Sequence, residues 1–248
     1  MRTIRSLLVI LAALAVLSFA FRTPAMADID PATMKKAQAG DAQSQFRVAL
    51  AYDAGDVVEQ DHEEAVKWYI LAAEQGLPSA QFNLAVSYDI GEGTPVDKPK
   101  AIRWYTMAAE QDHDNAQLNL AISYDEGDGV EIDDQQAIYW YTRASENGNT
   151  QAMYNLAVMY DTGEGTAVDY KESFKWYTVC SEAGSDRCQY NLGVAYYNGE
   201  GTAKNNVLAK QWLEKAASQG YDMAGQALRD LDFGESENPF SKIKNLFD

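Results

Sequence analysis

Between residues 78 and 109 the apolar positions fall into two blocks with a helical period. Ala80, Leu84, Ala85 and Tyr88 share one face of a helix predicted to run from Pro78 to about Ile90. Gly91-Glu92-Gly93 stops it, because glycine tolerates the positive φ that a helix end and the next turn require. Asp97 then offers an N-cap with Pro99 close behind, and Ala101, Trp104, Tyr105 and Ala108 trace the buried stripe of a second helix. Two helices and a glycine turn make a helical hairpin. The small side chains Ala85 and Ala108 let the helices approach closely, while Trp104 and Tyr105 fill the space beside them.

The same phrase is written five times. Trp68, Trp104, Trp140, Trp176 and Trp212 stand 36 residues apart, as do Tyr52, Tyr88, Tyr124, Tyr160 and Tyr196. Glycine recurs at 40, 76, 148, 184 and 220, with Asp112 breaking the series. A fixed period of this length marks a stacked array in which each unit buries its apolar face only against its neighbours. The expectation is an all-α solenoid of five 36-residue helix-turn-helix units over residues 41–220. Half-units cap it: residues 28–40, where Asp30-Pro31 opens a short helix, and residues 221–248, where Ala224, Leu228 and Leu231 mimic a first helix. Phe240, Ile243, Leu246 and Phe247 are expected on one side of a last helix folded over the open end.

The phrase from Ala80 through Tyr88, the turn Gly91-Glu92-Gly93 with Asp97, and Ala101-Ile102-Arg103-Trp104-Tyr105 through Ala108-Ala109-Glu110 resemble the signatures of the SEL-one-like repeat family, a branch of the tetratricopeptide superfamily. The resemblance covers about residues 40–220. Its departures are local: Val57 for the second turn glycine, Asp112, Leu213 for Tyr and Asn205 for Asp. It implies a right-handed α/α superhelix acting as an adaptor in protein complexes, often in signalling or envelope processes, and it carries no shared catalytic residues.

Composition then narrows the compartment. Arg2 and Arg5, the apolar run Leu7 to Phe21 and the small-x-small site Ala25-Met26-Ala27 make residues 1–27 read as a cleaved signal peptide, too short for a bilayer span. The product is expected to be a periplasmic or secreted monomer without membrane insertion. The formal charge is −17, and loss of Arg2, Arg5 and Arg22 makes it more negative by three. Such a surface repels nucleic acid and anionic lipid and suits cationic partners, although acids also simply keep a long solenoid soluble.

Cys180 and Cys188 occupy slots that hold alanine elsewhere (Ala72 and Ala108; Ala80, Ala116 and Ala152), facing each other on adjacent helices. In an exported chain this geometry predicts a disulfide. The resemblance adds that secreted cysteine-rich members pair cysteines at this separation. Without Cys-x-x-Cys spacing the pair reads as a staple.

If first helices line the concave side, as the resemblance implies, Phe46, Phe82, Leu118, Tyr154 and Tyr190 form one exposed column and Leu50, Val86, Ile122, Val158 and Val194 the next. Asp53, Asp89, Asp125 and Asp161 flank them, and Tyr197 ends the acidic edge. An apolar trough edged by carboxylates suits a protein or peptide segment with basic and hydrophobic side chains. The alternatives are that the columns are core and the aspartates solvated helix ends. Asn83, Asn119, Asn155 and Asn191 are expected to bind neighbouring backbone.

No metal, cofactor or catalytic residue is expected. The acidic turns Asp89 to Gly93 and Asp125 to Gly129, with Asp133 and Asp134 beyond, lack the alternating ligands and closing Glu of a calcium loop. His62 and His113 hold unlike positions in their units, and phosphate loops, zinc-helix motifs and nucleophile elbows are missing. The reading is a non-enzymatic interaction scaffold. The alternatives are a hydrolase-type enzyme on cell-wall or small secreted substrates, or a spacer with no specific groove.

Overall fold

A computed structural model describes residues 29–233. The signal-peptide segment 1–27 and the apolar tail with Phe240 to Phe247 lie outside these residues. Among the described residues the protein is all-α, as predicted, with twelve helices and no strand. They are α1 (Pro31–Gln38), α2 (Ala42–Ala54), α3 (His62–Glu74), α4 (Pro78–Ile90), α5 (Lys98–Ala109), α6 (Asp114–Glu126), α7 (Asp134–Glu146), α8 (Thr150–Thr162), α9 (Tyr170–Glu182), α10 (Asp186–Asn198), α11 (Asn206–Ser218) and α12 (Asp222–Asp230). Each helix packs chiefly on the one before and the one after it, so the molecule is a repeat solenoid with a nearly one-dimensional contact pattern. No described helix is long and apolar enough to cross a membrane.

One hydrogen-bond arrangement builds every hairpin. Asp97 caps α5 by accepting the Lys100 N–H at 3.1 Å, while its own N–H donates to the Tyr88 carbonyl at 2.8 Å. Asp61, Asp133, Asp169 and Asn205 do the same with Tyr52, Tyr124, Tyr160 and Tyr196. The cap therefore fixes both where the second helix starts and how the chain leaves the first.

The second turn glycine answers to the preceding repeat. A Cβ on Gly201 would stand 1.9 Å from the Tyr170 carbonyl oxygen, and one on Gly93 2.1 Å from that of His62. Each turn lies directly on the start of the previous unit's second helix. In the first unit Val57 stands at this position. Asp112 adopts φ 62, a left-handed conformation that aspartate tolerates, which is why it can interrupt the glycine series.

The core is a run of small and aromatic side chains. Ala85 and Ala108 are fully buried, and Tyr69, Tyr105 and Tyr141 are at most 2% exposed. The repeated tryptophans are half-buried, except Trp140, which is buried. Cys180 and Cys188 form a disulfide joining α9 to α10, with both residues buried.

Candidate functional site: the first-helix face and the slots between repeats

The first-helix columns are anchored on one edge and open on the other. Phe46, Phe82, Leu118, Tyr154 and Tyr190 are all half-buried, as are Val86, Ile122, Val158 and Val194, while Leu50 is exposed. Inward, Phe46 meets Tyr69 with ring centroids 5.9 Å apart, Phe82 meets Tyr105 at 5.9 Å, and Tyr154 meets Tyr177 at 6.4 Å. Outward, a cleft of about 350 Å³ opens between α6 and α8 among Ile122, Tyr154 and Val158, with Asp125, Glu126 and Glu164 at its edge. A second, of about 430 Å³, lies between α10 and α12 among Tyr190, Val194, Met223 and Leu231.

The aspartates bond to the core rather than to water alone. The Tyr69 hydroxyl donates to Asp53 at 2.9 Å, that of Tyr105 to Asp89 at 3.2 Å, and that of Tyr141 to Asp125 at 3.0 Å. Asn83, Asn119 and Asn155 donate to the same three hydroxyls at 3.1, 3.0 and 3.0 Å. This corrects the expectation that these asparagines bind backbone. Burial first, then the neighbouring aspartate, pushes the Tyr69 and Tyr141 hydroxyls above the ordinary tyrosine range. Asp161 instead accepts from Ser173 at 3.3 Å, and burial raises its pKa. In the fifth unit Tyr197 and Leu213 replace the aspartate and the tyrosine together, so donor and acceptor vanish as a pair.

A glutamine ladder went unseen in the sequence. Gln81 donates to the Ala73 carbonyl at 3.2 Å and accepts from Gln111 at 2.8 Å. The arrangement recurs at Gln45 with Gln75, Gln117 with Asn147, and Gln189 with Gln219. In the fourth unit both positions change at once, to Met153 and Ala183.

Between repeats lies a third recurring arrangement, also missed. The aspartate at the end of a first helix, the residue opening the second helix, and an acid in the next unit's turn converge. In the first slot His62 Nδ1 lies 2.9 Å from Asp53 and Nε2 3.1 Å from Glu92. In the second, Lys98 Nζ lies 2.6 Å from both Asp89 and Asp128, and these hydrogen bonds, Asp128 foremost, raise the lysine pKa. In the third the opening residue is Asp134, and one oxygen each of Asp125, Asp134 and Glu164 lie within 4.8 Å of one another. Among the described residues, the first and third slots are the groupings whose donor atoms could converge on a metal ion. No single turn contains them, because the third member lies in the next unit, 30 residues beyond the one that opens the second helix. The visible signal was the change from His62 and Lys98 to Asp134 at one repeat position.

The family model described as Sel1 repeat matches five times, over residues 42–77, 78–113, 114–149, 150–185 and 186–221. Among solved structures, c5321, described as a protective antigen present in uropathogenic Escherichia coli strains displaying an SLR fold, is 34% identical with a TM-score of 0.80. That match covers 83% of this chain but only 44% of c5321, so the chain spans less than half of that protein's length. A Sel1 repeat protein from Oxalobacter formigenes is 31% identical with a TM-score of 0.70, covering 84% of each chain. No curated protein matches the chain.

Proposed function

The chain belongs to the Sel1 repeat family, whose members generally serve as protein-interaction scaffolds, and from that premise we propose that it is an exported, non-enzymatic scaffold binding a partner segment along its first-helix face. The observation that carries this reading is the pair of clefts on the predicted columns, one around Tyr154 and Val158 and the other around Tyr190 and Val194. Half-buried aromatics held from behind by core tyrosines give a fixed apolar surface that loses little entropy when covered. The net charge of −17 and the flanking aspartates favour a segment with basic and hydrophobic side chains. Export is supported by the pattern of residues 1–27, by the disulfide, which suits an oxidising compartment, and by likeness to a protein described as a protective antigen.

Site-specific photo-crosslinking in the source cells tests this. A crosslinking residue at Val86, Val158 or Val194 is expected to trap a discrete protein. One at Met107 or Val179, both exposed on second helices, is not. Adducts confined to the second-helix positions would refute the assignment.

A further inference from the structure

We propose that the third slot, Asp125–Asp134–Glu164, receives a lysine or arginine side chain of the bound segment. This deepens the scaffold reading and rests on it. The repeats provide their own controls, because the same two acidic positions recur and only the residue between them changes. In the first two slots the chain supplies a nitrogen group of its own: His62 bridges Asp53 and Glu92, and Lys98 Nζ sits 2.6 Å from each of its two carboxylates. In the third, Asp134 opens α7 where Lys98 opens α5. The nitrogen is gone and a third acid takes its place.

No cationic side chain of the chain pairs with these acids among the described residues. Asp125 keeps one oxygen on the Tyr141 hydroxyl at 3.0 Å, and the side chains of Asp134 and Glu164 make no hydrogen bond or ion pair with any of the described residues. Carboxylates this close repel one another, and an incoming cation converts that repulsion into attraction.

The surroundings choose among cations. Asp125 and Glu164 also line the cleft of about 350 Å³ whose walls are Ile122, Tyr154 and Val158. A lysine or arginine has the matching two-part character. Its aliphatic stem lies on Tyr154 and Val158 while its charged head reaches the carboxylates. A bare metal ion would use the acids and leave the apolar walls uncovered. The fourth and fifth slots open with Tyr170 and Asn206, so the three-acid arrangement occurs once and sets the partner's register along the stack.

The test uses the whole protein and two synthetic peptides, acetyl-Leu-Lys-Leu-amide and its norleucine counterpart, titrated while backbone amide resonances are followed. The lysine peptide is expected to shift amides of α6, α8 and the turn at Glu164, and the norleucine peptide to bind about tenfold more weakly or worse. Asp134→Lys reproduces the arrangement around Lys98, so its thermal midpoint should not fall while lysine-peptide affinity drops by a similar factor. Equal binding of both peptides at the first-helix face would overturn the slot and leave the scaffold reading standing. Undiminished lysine-peptide affinity in Asp134→Lys would do the same. If neither peptide shifts any first-helix residue, the result counts against both readings. Saturation of the same amides by calcium chloride, without lysine-dependent peptide binding, would make the slot a metal site and overturn the proposal.

Discussion

His113 caps α6 through an unprotonated ring. Its Nδ1 accepts the Ala116 N–H at 3.3 Å, and the ring stacks on Phe82 with centroids 4.7 Å apart. Burial lowers its pKa from the ordinary 6.5, against a weaker opposing pull from Asp114. The unfolded chain therefore takes up this proton first as pH falls. The contribution of the group is complete above about pH 6.5 and is lost progressively below it. Asn149 and Ser185 cap the following first helices without titrating. Urea unfolding of His113→Asn at a series of pH values should show a shallower loss of stability than the natural protein between about pH 7 and 5. Parallel slopes would rule out this role for the ring. At this scale the sequence discloses faces better than partners. Helical spacing places Asn83 beside the core, yet its acceptor, the Tyr69 hydroxyl, stands 14 positions back in the previous unit. The period that identifies the position says nothing of that distance.

Helices and turns show which repeat substitutions must travel together. Gln117 is fully buried, donating to the Ala109 carbonyl at 3.1 Å and accepting from Asn147 at 3.0 Å. Replacing it alone strands polar groups in the core, so Gln117→Met should cost about 1–3 kcal/mol. Adding Asn147→Ala copies the natural pair Met153 and Ala183 and should recover part of that loss. A double-mutant cycle is expected to give a coupling above about 0.5 kcal/mol, and strict additivity would contradict the ladder. Glycines separate just as cleanly. Gly220 and Gly201 both have positive φ, but a Cβ on Gly220 meets nothing within 4 Å while one on Gly201 strikes the Tyr170 carbonyl. Gly220→Ala should thus cost about 1 kcal/mol and Gly201→Ala distinctly more, read from thermal midpoints. Hairpin limits were legible because caps and glycines are local: α4 spans Pro78–Ile90, the range its periodicity predicts. Why the second turn residue must be glycine at Gly93 and Gly201 was not legible beyond its φ, since the close approach lies in how one unit's turn rests on its predecessor.

Across the whole molecule, stability accumulates from neighbour to neighbour. Such a stack can loosen in one place while the remainder holds. The α8 to α9 junction is the place where the polar ladder is missing, replaced by the apolar cluster of Met153, Ala157, Tyr177 and Leu192. The Cys180–Cys188 bond belongs to that cluster and ties α9 forward to α10 just where the glutamine ladder behind it gives way to apolar contact and the Ser173–Asp161 hydrogen bond. Replacing both cysteines by alanine restores the residue other units carry in those slots, so packing changes little and the cross-link is isolated. The double variant should be less stable by about 2–3 kcal/mol. Amide exchange should quicken in α8 to α11 and stay unchanged in α2 to α5. A loss of protection spread evenly from end to end would mean that the solenoid unfolds as one block, and its repeats could not then hold separate local roles such as a single three-acid slot.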